Sequence, residues 1–217
     1  MRDPSTSRGR GRGWLVWLLL LSASVPGAAA ASACTASDPS LGLTNDGNGY
    51  YYVGSNSQLA TVCRQCQSID YLSINYCADC TDDTLNTCTT LTSITGKDPL
   101  NGLSLYIDGC PLVTSLAGLR HVTGPLAGTL YVYNMGKLVS LDGLEKVTSL
   151  GTDSIGRSIY LGSNPVLVSA TALSNAKLSG TVTIGTCPSL VCVPSSWSGA
   201  TYPSGNPWKP AGTCPPT

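Results

Sequence analysis

Apolar and polar residues alternate in short bursts along this chain, and the bursts recur. Leu105 and Ile107 bracket Tyr106; 25 residues on, Leu130 and Val132 bracket Tyr131. A third burst, Ile159-Tyr160-Leu161, follows 29 residues later, and a fourth, Val182-Thr183-Ile184, 23 after that. A period of two marks a strand whose successive side chains face opposite ways. The aliphatic residues of each burst therefore point inward, and Tyr106, Tyr131, Tyr160 and Thr183 point outward. Behind each strand comes a second motif: Ser115-Leu116, Gly118-Leu119 and Val122-Thr123 recur as Ser140-Leu141, Gly143-Leu144 and Val147-Thr148. Such a repeat predicts a solenoid, in which each unit buries its apolar edge by stacking on its neighbours.

Aligning the repeats predicts the inward columns Val113/Leu138/Leu167/Leu190, Leu116/Leu141/Ala170/Val193 and Leu119/Leu144/Leu173. Residues 69–96 read as a distorted first rung, because Leu72-Ser73-Ile74 matches Leu105-Tyr106-Ile107 and about five extra residues around Cys80 to Asp83 bulge out. Full rungs follow over 103–128, 129–157 and 158–180, with a shortened one at 181–197. The expected fold is mainly β, a β-helix or leucine-rich-repeat-like solenoid of about five rungs spanning 69–197. Residues 34–68 form an N-terminal cap, with a strand at Tyr50 to Val53 and a helix over Asn56 to Cys66 that begins on Asn56 as its N-cap. Residues 198–217, rich in Pro and Gly, form a C-terminal tail.

Composition changes the picture at the N-terminus. Arg8, Arg10 and Arg12 precede the apolar run Trp14 to Leu21, and small residues follow to Ala33. Residues 1–33 read as a secretory signal peptide. The alternatives are a basic nucleic-acid-binding arm, which the apolar run argues against, and an uncleaved membrane anchor, which Pro26-Gly27 argues against. Removing residues 1–30 leaves eight basic and eleven acidic residues. A net charge near −3 offers no footprint for nucleic acid, and the membrane enters as a partner only if the signal segment is retained. All ten Cys lie behind the leader, and there is no Asn-x-Ser/Thr sequon. An even cysteine count in an exported chain predicts disulfides.

The pattern Leu-x-Ile, a gap, then Leu-x-Ser-Leu-x-Gly-Leu-x-x-Val-Thr-Gly resembles the receptor L domain. That module forms the outer lobes of insulin-receptor and epidermal-growth-factor-receptor ectodomains, and similar repeats occur in fungal cell-wall proteins. The resemblance covers roughly residues 69–197. It implies a right-handed β-helix with disulfide-capped ends that binds something outside the cell, with one face of the sheet taking part in ligand contact. It names no ligand, so the expected partner is an unspecified extracellular protein or glycan.

The cysteines, the acids and the outward columns are the candidates for chemistry. Cys63-Arg-Gln-Cys66 and Cys77-Ala-Asp-Cys80 have zinc-like spacing, but in an exported chain they read as disulfide partners, with no metal and no cofactor expected. Cys77 and Cys110 share a column one rung apart and are expected to pair. Cys34–Cys63 would staple the cap, and Cys187 or Cys192 would join Cys214. Asp79, Asp82 and Asp83 cluster in the bulge and read as a solvated loop rather than a Ca²⁺ site. The columns Asn75/Asp108/Tyr133/Gly162/Gly185 and Ala117/Asp142/Thr171 each hold one acid, so the carboxylate pair of a glycoside hydrolase is missing and no catalytic residue is assigned. The only histidine, His121, reads as a surface residue. The outward column Tyr106, Tyr131 and Tyr160, with Tyr133 beside it and Asp108 and Thr183 at its edges, has two readings. One is a ladder that stabilises the sheet; the other is a contact face, because tyrosine brings rigid area and a hydroxyl to interfaces. The expected function is a non-catalytic extracellular binding module, with a structural wall or matrix protein as the alternative and a carbohydrate-active β-helix enzyme behind it.

Overall fold

The structure is a computed structural model and describes residues 31–197. The expected leader up to residue 30 and the tail with Cys214 lie outside the described residues. Thirteen strands are present: β1 (Ser32–Cys34), β2 (Thr44–Asn45), β3 (Tyr51–Tyr52), β4 (Cys66–Ile69), β5 (Leu72–Asn75), β6 (Ser93–Ile94), β7 (Leu103–Asp108), β8 (Gly124–Leu126), β9 (Thr129–Tyr133), β10 (Val147–Leu150), β11 (Arg157–Gly162), β12 (Lys177–Leu178) and β13 (Thr181–Ile184). Two helices interrupt them, α1 (Asn56–Gln65) and α2 (Asp82–Leu85).

The principal sheet is five-stranded and wholly parallel, in the order β13-β11-β9-β7-β5. Two three-stranded parallel sheets, β1-β4-β6 and β12-β10-β8, form a second side. The bridges Ser140↔Ser169 and Ser169↔Cys192 run along a third. The chain is thus a β-solenoid, as the repeat predicts, with about four turns rather than about five rungs. The register is the one the repeats dictate: Ser73, Tyr106, Tyr131, Tyr160 and Thr183 are successive partners across the sheet.

The inward columns are filled as expected. Val113, Leu138, Leu167 and Leu190 are buried, as are Leu119, Leu144 and Leu173. Leu116, Leu141 and Ala170 are buried too, and Val193, at the end of that column, packs against the core while partly exposed. Fully burying one such side chain contributes roughly 1.5–3 kcal/mol, so the aliphatic columns dominate the stability of the coil. The repeated glycine has a steric cause. A Cβ on Gly143 would lie 2.0 Å from Leu116 O, and one on Gly118 would lie 2.2 Å from Leu85 C, so the backbone of one turn rests on that of the next. At the end of the principal strands the chain turns a sharp corner: Tyr76, Gly109, Asn134 and Ser163, equivalent in consecutive turns, all have positive φ.

The cap differs from the expectation in detail. Helix α1 starts one residue earlier than expected, because Ser55, not Asn56, is the N-cap and accepts from Gln58 N–H. The bulge after Cys80 is not merely a solvated loop. It holds α2, capped by Thr81, with Leu85 buried. Two of the three expected acids are committed to the backbone: Asp79 Oδ1 accepts from Asn56 N–H at 2.9 Å, and Asp82 Oδ1 accepts from Thr114 N–H at 2.8 Å, while Asp83 is exposed.

The cysteine pairing needs correction. Cys34 bonds to Cys66, not to Cys63, because β1 lies along β4, the strand that Cys66 opens. Cys63 is on the buried face of α1 and bonds to Cys88, just beyond α2. Cys77 bonds to Cys80, not to Cys110. Cys110 occupies the expected place one turn away, but its thiol is turned to the carbonyls of Asp108 (3.4 Å) and Ile74 (3.9 Å), and the nearer bridge across the bulge takes Cys77. Cys110 and Cys187 are buried free thiols, and Cys192 is disulfide-bonded. These disulfides match an oxidising compartment. Among the described residues, no helix is long and apolar enough to cross a membrane.

Candidate tyrosine face

The outward face of the principal sheet gathers the tyrosines. The ring centroids of Tyr106 and Tyr131 lie 5.0 Å apart and those of Tyr131 and Tyr160 4.5 Å apart, close to the ~4.8 Å spacing of neighbouring strands. Identical residues in register on a parallel sheet have no other place to go, so their rings stack. Tyr133, two residues along β9, tilts against both Tyr131 and Tyr160 at 6.2 and 6.3 Å. All four rings are half-buried. The stack shows its ring edges and hydroxyls to solvent, because the broad faces of Tyr131 are covered by its neighbours.

The remaining expected residues sit around this stack. Thr183 pairs with Tyr160 across β13 and continues the column. Asp108 lies between Asn75 and Tyr133 in register and is almost fully buried. Its Oδ2 accepts a hydrogen bond from Tyr106 OH at 2.8 Å. Burial raises the Asp108 carboxyl above the usual carboxylate range, and the bond from Tyr106 offsets this only in part. Burial also pushes the Tyr131 hydroxyl up to about 12 and raises those of Tyr106 and Tyr50, so all three remain protonated donors at neutral pH. Asp108 Oδ1 and Asn75 Oδ1, adjacent in one column, are buried and accept from no protein donor.

Four residues that sequence reasoning missed complete the face. Arg157, at the start of β11, lays its guanidinium 4.9 Å from the Tyr160 ring centroid and 5.8 Å from that of Tyr131. Its Nε donates to Asp153 Oδ2 at 2.7 Å. Asp153 Oδ1 accepts from Ile155 N–H and Arg157 N–H at 3.0 and 2.8 Å, which folds the turn and aims Arg157 across the rings. Asp98 does the same one side over, accepting from the N–H groups of Leu100, Asn101 and Leu103 at 3.0, 2.7 and 2.6 Å. The signal for both was an aspartate three or four residues ahead of a glycine, directly before a strand. Tyr50 is the fourth. It comes from the cap, and its hydroxyl meets Ser73 Oγ at 2.5 Å. No column alignment reveals it, because it lies outside the repeat.

The cysteines expected as disulfide partners divide into bonded residues and two buried free thiols. Cys34, Cys63, Cys77 and Cys192 are bonded, and Cys110 and Cys187 are enclosed in the coil. Burial raises the Cys187 thiol and pushes that of Cys110 up to about 11, which suppresses thiolate chemistry. Comparison with family models, with curated proteins and with solved structures returns no match.

Proposed function

We propose that this chain is an exported, non-catalytic binding module akin to the receptor L domain, which meets an extracellular ligand or partner through the outward face of the principal sheet. The observation that carries this reading is the gathering of Tyr106, Tyr131, Tyr133 and Tyr160, half-exposed and fixed by stacking, on one face beside an arginine. Rigid aromatic area with protonated hydroxyls costs little conformational entropy on binding, which is why tyrosine and arginine are enriched at interfaces. The disulfides and the apolar, Arg-led N-terminal sequence support export.

The test is capture of partners from the chain's own extracellular milieu, comparing the wild-type chain with a Tyr131→Ala, Tyr160→Ala double variant whose circular dichroism is native. Loss of the captured species in the variant supports the reading, and undiminished capture refutes the site. Retention of the chain in an insoluble matrix, released by reductant or glucanase, would instead make it a structural component.

A further inference from the structure

The run of tyrosines ends in a smaller residue on each side, Thr183 on β13 and Ser73 on β5. Ser73 stands where a fourth ring would be expected, on β5 beside Tyr106, and it is too small to stack. Tyr106 therefore has a ring partner on its Tyr131 side, and none of the ring contacts among the described residues covers its other side. A cavity of about 330 Å³ opens here, with Tyr106 and Tyr131 on one side, Tyr50 and Asn75 on another, and the turn carrying Asp153 and Arg157 at its rim. Its size falls at the lower end of ligand clefts, about 300–1,000 Å³.

We propose that this notch binds one neutral pyranose unit of a glycan, with the open side of Tyr106 as its platform and the side-chain amide of Asn75 as the group that meets a sugar hydroxyl. This deepens the binding-module reading and rests on it. The chemistry of the lining selects this class. Arg157 is already neutralised by Asp153, so the rim carries no net charge with which to attract an anion or a cation. Asn75 brings a polar amide to the lining, and its Oδ1 has no protein donor, so a wholly apolar occupant would leave that amide unsatisfied at a cost. A pyranose supplies a flat array of C–H groups for the negative face of an aromatic ring, and hydroxyl donors around its edge. The notch is broken into the ladder at one residue's width, which suits a single ring unit better than an extended peptide strand.

The full chain, produced by export so that its disulfides form, would be titrated with laminari-, cello-, manno- and galacto-oligosaccharides, with oligogalacturonate as the charged control. At least one neutral oligosaccharide should bind saturably and more tightly than the uronate. Tyr106→Leu should weaken it about tenfold or more and Asn75→Ala about fivefold, while Thr148→Ala, exposed on β10 of another side of the coil, changes it less than about twofold. Circular dichroism confirms that each variant is folded, and Asn75, partly exposed, is the change least able to disturb the core. The proposal is overturned if no neutral oligosaccharide binds, if the uronate binds more tightly, or if binding is indifferent to both Tyr106→Leu and Asn75→Ala. Capture of a protein partner that depends on Tyr131 and Tyr160, and is unaffected by competing sugar or by deglycosylation of the partner, overturns the glycan and leaves the binding face standing. Capture of nothing together with no sugar binding overturns both.

Discussion

Three glycines separate the two terms that hold successive turns together. Gly118 has ordinary backbone angles, but an added Cβ would meet the backbone of Leu85 at 2.2 Å. Gly124 has φ of +85° with nothing within 4 Å of the site, so alanine there pays only for the left-handed conformation. Gly143 combines both, with φ of +111° and a Cβ 2.0 Å from Leu116 O. Holding alanine at positive φ costs on the order of 1 kcal/mol at an open site. Forcing apart two packed backbones adds roughly 1–3 kcal/mol, at the upper end here because the obstacle is backbone and cannot rotate away. The expected destabilisations are therefore about 1 kcal/mol for Gly124→Ala, about 2–3 for Gly118→Ala and about 3–4 for Gly143→Ala. Urea denaturation with disulfides intact, read by circular dichroism at fixed temperature, gives the three values on one scale. Equal costs for Gly124→Ala and Gly143→Ala, within about 0.5 kcal/mol, would refute the close stacking of one turn on the next.

Removal of one ring from the tyrosine stack should cost stability as well as binding: a double-mutant cycle on Tyr131→Ala and Tyr160→Ala should give a coupling energy of about 0.5–1.5 kcal/mol, and additivity would show that the rings do not interact. Asp108→Asn keeps an acceptor for Tyr106 and removes a buried charge. Because the folded-state pKa of Asp108 is raised, its stabilising contribution is fully present below the unfolded value and is lost as pH rises through the folded one. The variant should therefore gain stability relative to wild type at pH 7 and lose that advantage at pH 3; a pH-independent difference contradicts the assignment. Alkylation without reductant should label no cysteine in the native chain and then Cys110 and Cys187 in denaturant, identified by peptide mass. Recovery of a Cys77–Cys110 cross-linked peptide would reinstate the pairing that the repeat alignment suggests.

The solenoid was legible because its cause is local and repeated. The alternation around Tyr106, Tyr131 and Tyr160 places each side chain in or out, and the constant spacing sets the register, so the columns follow from sequence alone. The disulfides were less legible. Repeat alignment compares equivalent positions in neighbouring turns, as with Cys77 and Cys110, whereas Cys80 and Cys88 flank α2 in and just beyond the bulge, where no repeat constrains the path. The same limit applied to the candidate site. The tyrosine stack came from the repeat, but Arg157, Asp153 and Tyr50 did not. Arg157 is aimed by a turn folded around one carboxylate, and Tyr50 arrives from the cap. The notch itself is a departure from the pattern, visible in sequence as serine where the next three turns have tyrosine, and its meaning depends on what stands beside it.

The central claim, that the outward tyrosine face is where this chain meets its partner, is tested most directly by oxidative footprinting of the chain with and without the species it captures. Protection on binding should fall on the peptides carrying Tyr106, Tyr131, Tyr133 and Tyr160. Protection confined to the side formed by β8, β10 and β12, with those tyrosines as reactive as in the free chain, would contradict it.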